Sequence, residues 1–235
     1  MTAQLLRIES TPDLVDRVYQ TLLDAISDGS LAPGQRFTQE EIAAQLAVSR
    51  QPVLQALRAL KNDGFVLDAN ASAAPGTRGR GLVVAPLDAT WMRNVYAVRG
   101  ALDALAARLA ATARFRMDPH LIAQGRKAAR GRNVKAMVDA DMAFHSAIYA
   151  ASGNPLIEPS ARLHWGHLRR VMGAVLQQAR QREAVWDEHE AIAAAIAAGD
   201  GNTAACLIEQ HSREASDNLA ARLEHVLKRT QGDKP

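Results

Sequence analysis

Asp141 and His145 stand four residues apart, so on a helix both side chains share a face and can aim at one atom. His189 and His211 fall in two later helical stretches. One carboxylate and three imidazoles make a donor set for a divalent transition metal, Zn²⁺ first, with Ni²⁺, Mn²⁺ or Fe²⁺ also suited. Donor types alone do not choose among these metals, because availability competes with affinity. Asp-x-x-x-His is a common pattern, and a histidine is more often an ordinary core or surface residue than a ligand. His120, His164, His167 and His225 fit no comparable set. The same four donors can also activate water in a metal-dependent hydrolase, with Glu188 or Glu190 as general base. No nucleophile or oxyanion element accompanies them.

A second group of residues suits nucleic acid. In TQEEIAAQLAVSRQPVLQALRALKNDG, Thr38 predicts a helix N-cap and Glu41 completes a capping box. Ser49 starts a second helix, with Pro52 in its first turn, where a missing N–H costs nothing. Val53, Leu57 and Leu60 recur at helical spacing and Gly64 stops the run. Arg50, Gln51, Gln55, Arg58 and Lys61 are left facing outward. A first helix that buries its face, followed by a second that presents polar and cationic side chains, is a helix-turn-helix. Arg50 suits guanine and Gln51 adenine, while Arg36 and the backbone around Thr38 and Ser49 suit phosphates. The plain alternative is a set of solvated surface cations.

The elements that position both groups follow from the pattern around them. Leu14, Val15, Val18, Leu22, Leu23 and Ile26 form one helical stripe before Gly29. Phe65 to Leu67 and Gly81 to Val84 read as strands flanking a loop rich in Ala, Gly, Ser and Pro that carries Arg78 and Arg80. Three helices and this β-hairpin make a winged helix-turn-helix domain over residues 1–85. From Pro86 onward only helical periods occur, predicting helices near 88–113, 118–130, 133–151, 154–180, 182–198 and 201–229. Short connections between them imply an antiparallel all-α bundle over residues 86–235, so the chain is mainly α.

Bulk properties agree with this reading. Across 235 residues hydrophobic side chains make up 48% but aromatics only 4%, which favours packed helices over sheet. The formal charge is +3, yet acids (nine) outnumber bases (eight) up to Ala85, so any DNA footprint depends on local placement. One cysteine, Cys206, excludes an intrachain disulfide, suits a reducing compartment and is expected to be a small packed residue. Trp91, Trp165 and Trp186 are expected in the core or an interface. The opening MTAQLLRIES has no apolar signal region, and no apolar run approaches about 18 residues, so a cytoplasmic protein without a membrane partner is expected.

Gly29 to Gly34, Leu46 to Arg50, Pro52-Val53, Ala56 to Arg58, Leu60 and Gly64 resemble the DNA-binding domain of the GntR family of bacterial regulators. Val98-Arg99 through Asp103, Asp141 to His145, Ala151 to Asn154, Glu188-His189, Gly199-Asp200 and His211 resemble its FadR-type branch, which carries an FCD effector domain. The resemblance implies a homodimer, a repressor rather than an enzyme, that binds double-stranded DNA at a palindromic operator and is released or rearranged when a small organic acid binds the bundle. It places the metal on Asp141, His145, His189 and His211, the wing tip at Arg80 and Gly81, and an effector-binding Arg at Arg99. Without it, Arg99 is equally a partner for Asp103 at i+4. His164 and Arg169 are further candidates for the same cavity, and Asn154 is read as a helix cap before Pro155. Leu54 and Gln55 stand where the family carries Arg and Glu, which leaves the operator sequence open. A metal that is itself the signal is the remaining alternative.

Overall fold

A computed structural model of the chain describes residues 14–69, 81–131, 133–176 and 184–232, in two compact units that meet in sequence between Pro86 and Leu87. In the first, α1 (Leu14–Asp28) precedes β1 (Arg36–Phe37), α2 (Gln39–Gln45), α3 (Arg50–Asn62), β2 (Val66–Asp68) and β3 (Leu82–Val84). Val18, Leu22 and Ile26 of α1 share a core with Phe37, Ile42, Val53, Leu57, Leu60, Phe65 and Val84. Tyr19 adds a polar tie from α1, donating its hydroxyl to Asp63 at 2.6 Å. The Thr38 capping box is complete: its hydroxyl accepts from Glu41 N at 3.2 Å, and its own N–H donates to Glu41 at 2.7 Å. Ser49 starts α3 with extended backbone, but its side chain makes no capping hydrogen bond.

Two features of this unit were not readable from the sequence. The turn between α2 and α3 closes with Ala47 at φ +52°, a left-handed conformation normally left to glycine. The sheet has three strands in the order β1-β3-β2, because Arg36 and Phe37 pair antiparallel with Val83 and Leu82. A two-residue strand is too short to show alternation, and it is the backbone of β3 that defines it. Residues 70–80 of the loop, Arg78 and Arg80 among them, lie outside the described residues.

The second unit holds α4 (Ala89–Thr112), α5 (Pro119–Arg130), α6 (Val134–Ala151), α7 (Ile157–Val175), α8 (Ala184–Ala198) and α9 (Gly201–Gly232), with no strand among its described residues. Asp88, Asp118 and Asn133 cap α4, α5 and α6 through their side chains. Asn154 accepts from Leu156 N at 3.0 Å, turning the chain just before α7, which begins at Ile157 rather than 154. Ala104, Ala107 and Ala110 of α4 are buried in one core with Ala204, Ala205 and Ile208 of α9, short side chains that let two long helices lie close. Phe144, Ile148, Trp165, Leu168, Trp186 and Ile192 complete that core. One sequence expectation fails here: Cys206 is exposed on α9 rather than packed, while Trp91, expected in the core or an interface, lies outside the core at 52% exposure. Both sit on outward faces of long helices, where period alone gives no sharp boundary between core and surface.

Candidate metal centre and nucleic-acid interface

The bundle brings four donors from three helices to one point. Asp141 and His145 come from α6, His189 from α8 and His211 from α9, and each offers a ligand atom within 4.8 Å of the other three. The three imidazoles are buried. Neither ring nitrogen of His145 or of His189 has a hydrogen-bond partner, although Asp141 lies 3.4 Å from His189 Nε2. Burying polar nitrogens without partners costs roughly 1–3 kcal/mol each, so unpartnered imidazole nitrogens gathered beside Asp141, one ligand atom from each ring, suit a metal pocket. His211 pairs through Nδ1 with Glu188 at 2.7 Å, which keeps its Nε2 as the free donor. The donor set and its electrostatics therefore fit a divalent transition metal.

Those electrostatics also keep the His145 and His189 imidazoles in the ligating form. Burial pushes the His145 pKa below the usual imidazole range, and the positive Arg99 nearby adds to the effect. His189 is pushed well below that range, again by burial first and then by His211 and His145. Neutral rings are the ones that bind metal. Aromatic walls fix the His189 ring: Phe144 stacks on it at 4.1 Å and Trp186 meets it edge-on at 4.6 Å. Trp186 fits only because position 125 is glycine; a Cβ there would sit 1.9 Å from its ring.

Beside the donors lies a buried charge network that the sequence hinted at only once. Arg99 and Asp103 pair on α4 at 3.1 Å with almost no exposure, the i+4 pairing weighed for them above. The Arg99 guanidinium packs over the Trp165 ring at 3.9 Å. Burial by itself would raise the Asp103 pKa, but Arg99 overrides it and holds the carboxyl well below the carboxylate range. Asp103 also accepts from the Tyr149 hydroxyl and from Ser212 at 3.4 Å, and stands 3.6 Å from His145 Nδ1. One carboxylate thus joins Arg99 to a metal-ligand candidate. Tyr149 and Gly125 were not predicted as parts of the site, Asp103 entered only as a partner for Arg99, and Glu188 only as a general base in the hydrolase alternative. The signals available were the Arg99–Asp103 spacing and a lone glycine within a helical period, which points to close packing.

Arg99, Asp141, Glu188 and His211 line a cavity of about 340 Å³ between the helices. His164 and Arg169 are not among its lining residues. His164 is partly buried on α7, and Arg169 lies 3.8 Å from Asp139. Glu190 pairs with Arg126 at 2.7 Å on the surface.

In the first unit, Arg36, Arg50, Gln51 and Arg58 are exposed. Arg50 begins α3 with its side chain 70% exposed and 3.2 Å from Glu40, while Gln39 donates to its carbonyl at 2.7 Å. Pro52, Val53, Ala56 and Leu57 face inward, so α3 offers Arg50, Gln51, Gln55 and Arg58 outward and half-buries Leu54. Gly81 leads into β3 at φ +127°, close to the Phe37 carbonyl.

A helix-turn-helix with a three-stranded sheet, together with a six-helix unit enclosing a donor cluster, defines a transcription regulator rather than a single-domain metalloprotein. Residues 14–73 match the gntR family of bacterial regulatory proteins and residues 94–214 match the FCD domain. The chain belongs to the GntR family, with an FCD domain, and is a transcriptional regulator of that type. It is 28% identical over 202 residues to a protein of Streptomyces ambofaciens described as an HTH-type transcriptional regulator in an unstable DNA locus, covering 86% of this chain and 83% of that one. A Rhodococcus sp. RHA1 structure titled a putative transcriptional regulator GntR superposes with TM-score 0.69 at 25% identity, covering 88% and 97% of the two chains. E. coli McbR/YncC shares the fold, with TM-score 0.72 at 19% identity over 91% and 100%. No helix among the described residues is long and apolar enough to cross a membrane.

Proposed function

We propose that this regulator is a cytoplasmic homodimeric repressor that reads a palindromic duplex with residues 1–85. Residues 86–235 hold a divalent transition metal and a small carboxylate effector. The observation that carries the sensing half is the cluster of buried, hydrogen-bond-free imidazole nitrogens beside Asp141. Asp141, His145, His189 and His211 are the residues that would hold the metal, with Glu188 orienting His211. A bound dication supplies Lewis acidity that attracts an anionic oxygen donor. Arg99, lining the same cavity, is a further cationic group available to a carboxylate, with Asp103 and Trp165 fixing its side chain. His164 and Arg169 stay outer candidates.

On the DNA side, Arg50 and Gln51 read base edges. Arg36, Arg58 and the backbone at Thr38 and Ser49 position the phosphates, and Arg80 with Gly81 forms the wing tip. Exposure of these α3 side chains above a buried apolar face supports the assignment. The test of the sensing half is metal titration of chelator-treated protein by calorimetry. One ion per chain is expected, with binding lost in His145→Ala and His189→Ala; equal uptake by the wild type and both variants overturns the site.

A further inference from the structure

The cavity has a second wall whose chemistry differs from the donor end. Val134, Met137 and Val138 form a small apolar cluster of their own, and Met142, Met172 and Leu176 pack against it. Met137, Val138, Met172 and Leu176 line the cavity together with Val185 and Leu219, and the polar Glu214, Asn218 and Arg222 line it as well. Methionines are unbranched and adapt to irregular shapes, which suits a surface that meets a guest rather than one fixed neighbour. Val185 remains 37% exposed although large and apolar. At about 340 Å³ the cavity is at the small end of ligand pockets, which span roughly 300–1,000 Å³.

Resting on the metal-and-carboxylate reading above, we infer that the effector is a monocarboxylate with an extended apolar body. A compact hydroxy acid or polyacid held at the donor end leaves Met137, Val138, Met172 and Leu176 uncovered and forgoes the apolar burial that this wall offers. A hydrocarbon body there gains about fourfold in affinity for each methylene buried.

The experiment is calorimetric titration of full-length, Zn²⁺-loaded protein with acetate, butyrate, hexanoate and octanoate, beside lactate and citrate. Affinity is expected to rise steeply from acetate to octanoate, with lactate and citrate no better than acetate. Met172→Gln, at a half-buried position, is expected to flatten that rise while leaving acetate binding and zinc uptake as in wild type. Lactate or citrate binding as tightly as octanoate overturns the apolar body and leaves the carboxylate site standing. A rise that Met172→Gln does not alter overturns the assignment to this wall. Zinc uptake with no affinity for any acid overturns both this inference and the effector reading beneath it.

Discussion

Asp103 carries a charge with no exposed surface, and Arg99 at 3.1 Å is what keeps it charged. Replacing it by Asn leaves a buried guanidinium uncompensated, which typically costs about 3–5 kcal/mol. Urea unfolding of Asp103→Asn is expected to show a loss of that size, and an unchanged midpoint would refute the network. The histidines give a pH signature. In the fold His145 and His189 titrate below the ordinary imidazole value of 6.5 because they are buried. Below that value the unfolded chain takes up protons that the folded chain does not, so stability of the metal-free protein falls as pH falls. The slope reaches about 1.4 kcal/mol per pH unit for each imidazole. Melting chelator-treated protein between about pH 8 and pH 5.5 checks the sign; a flat profile means the rings titrate normally. At this scale Asp141 and His145 were legible because they are one helical turn apart, while His189 and His211 were marked by the family resemblance. Tyr149 was not, and Glu188 was read as a general base rather than as the partner of His211, since each meets its partner across helices.

At the level of elements, α5 and α8 approach through Gly125, and the ring admitted there supports His189. Gly125→Ala is expected to destabilise the protein by roughly 1–3 kcal/mol through overpacking, and to weaken zinc affinity as Trp186 shifts. Thermal melts paired with metal titration follow both effects. On α3, Arg50→Ala and Gln51→Ala are each expected to lower affinity for the cognate duplex by about 1–3 kcal/mol and to relax base preference. Arg36→Ala should weaken all duplexes alike and reduce the salt slope by about one. Fluorescence anisotropy on matched and mutated duplexes separates the two kinds of loss. Helix periods and caps made α1 to α9 readable, the Thr38 capping box down to its hydrogen bonds. The β1 strand and the left-handed Ala47 escaped because pairing and a closed turn impose them, not local preference.

For the whole molecule, the GntR-type and FCD-type parts form separate compact units, and the proposed regulation requires a coupling free energy between them. Both units were recognisable from their motifs, whereas the size and apolar wall of the cavity arise only when six helices assemble. The most direct test measures that coupling. Full-length zinc-loaded protein is titrated against a labelled duplex from its own upstream region, with and without saturating octanoate. A change in Kd of about fivefold or more is expected, abolished by chelation and by Arg99→Ala. A Kd indifferent to both acid and metal would contradict the account.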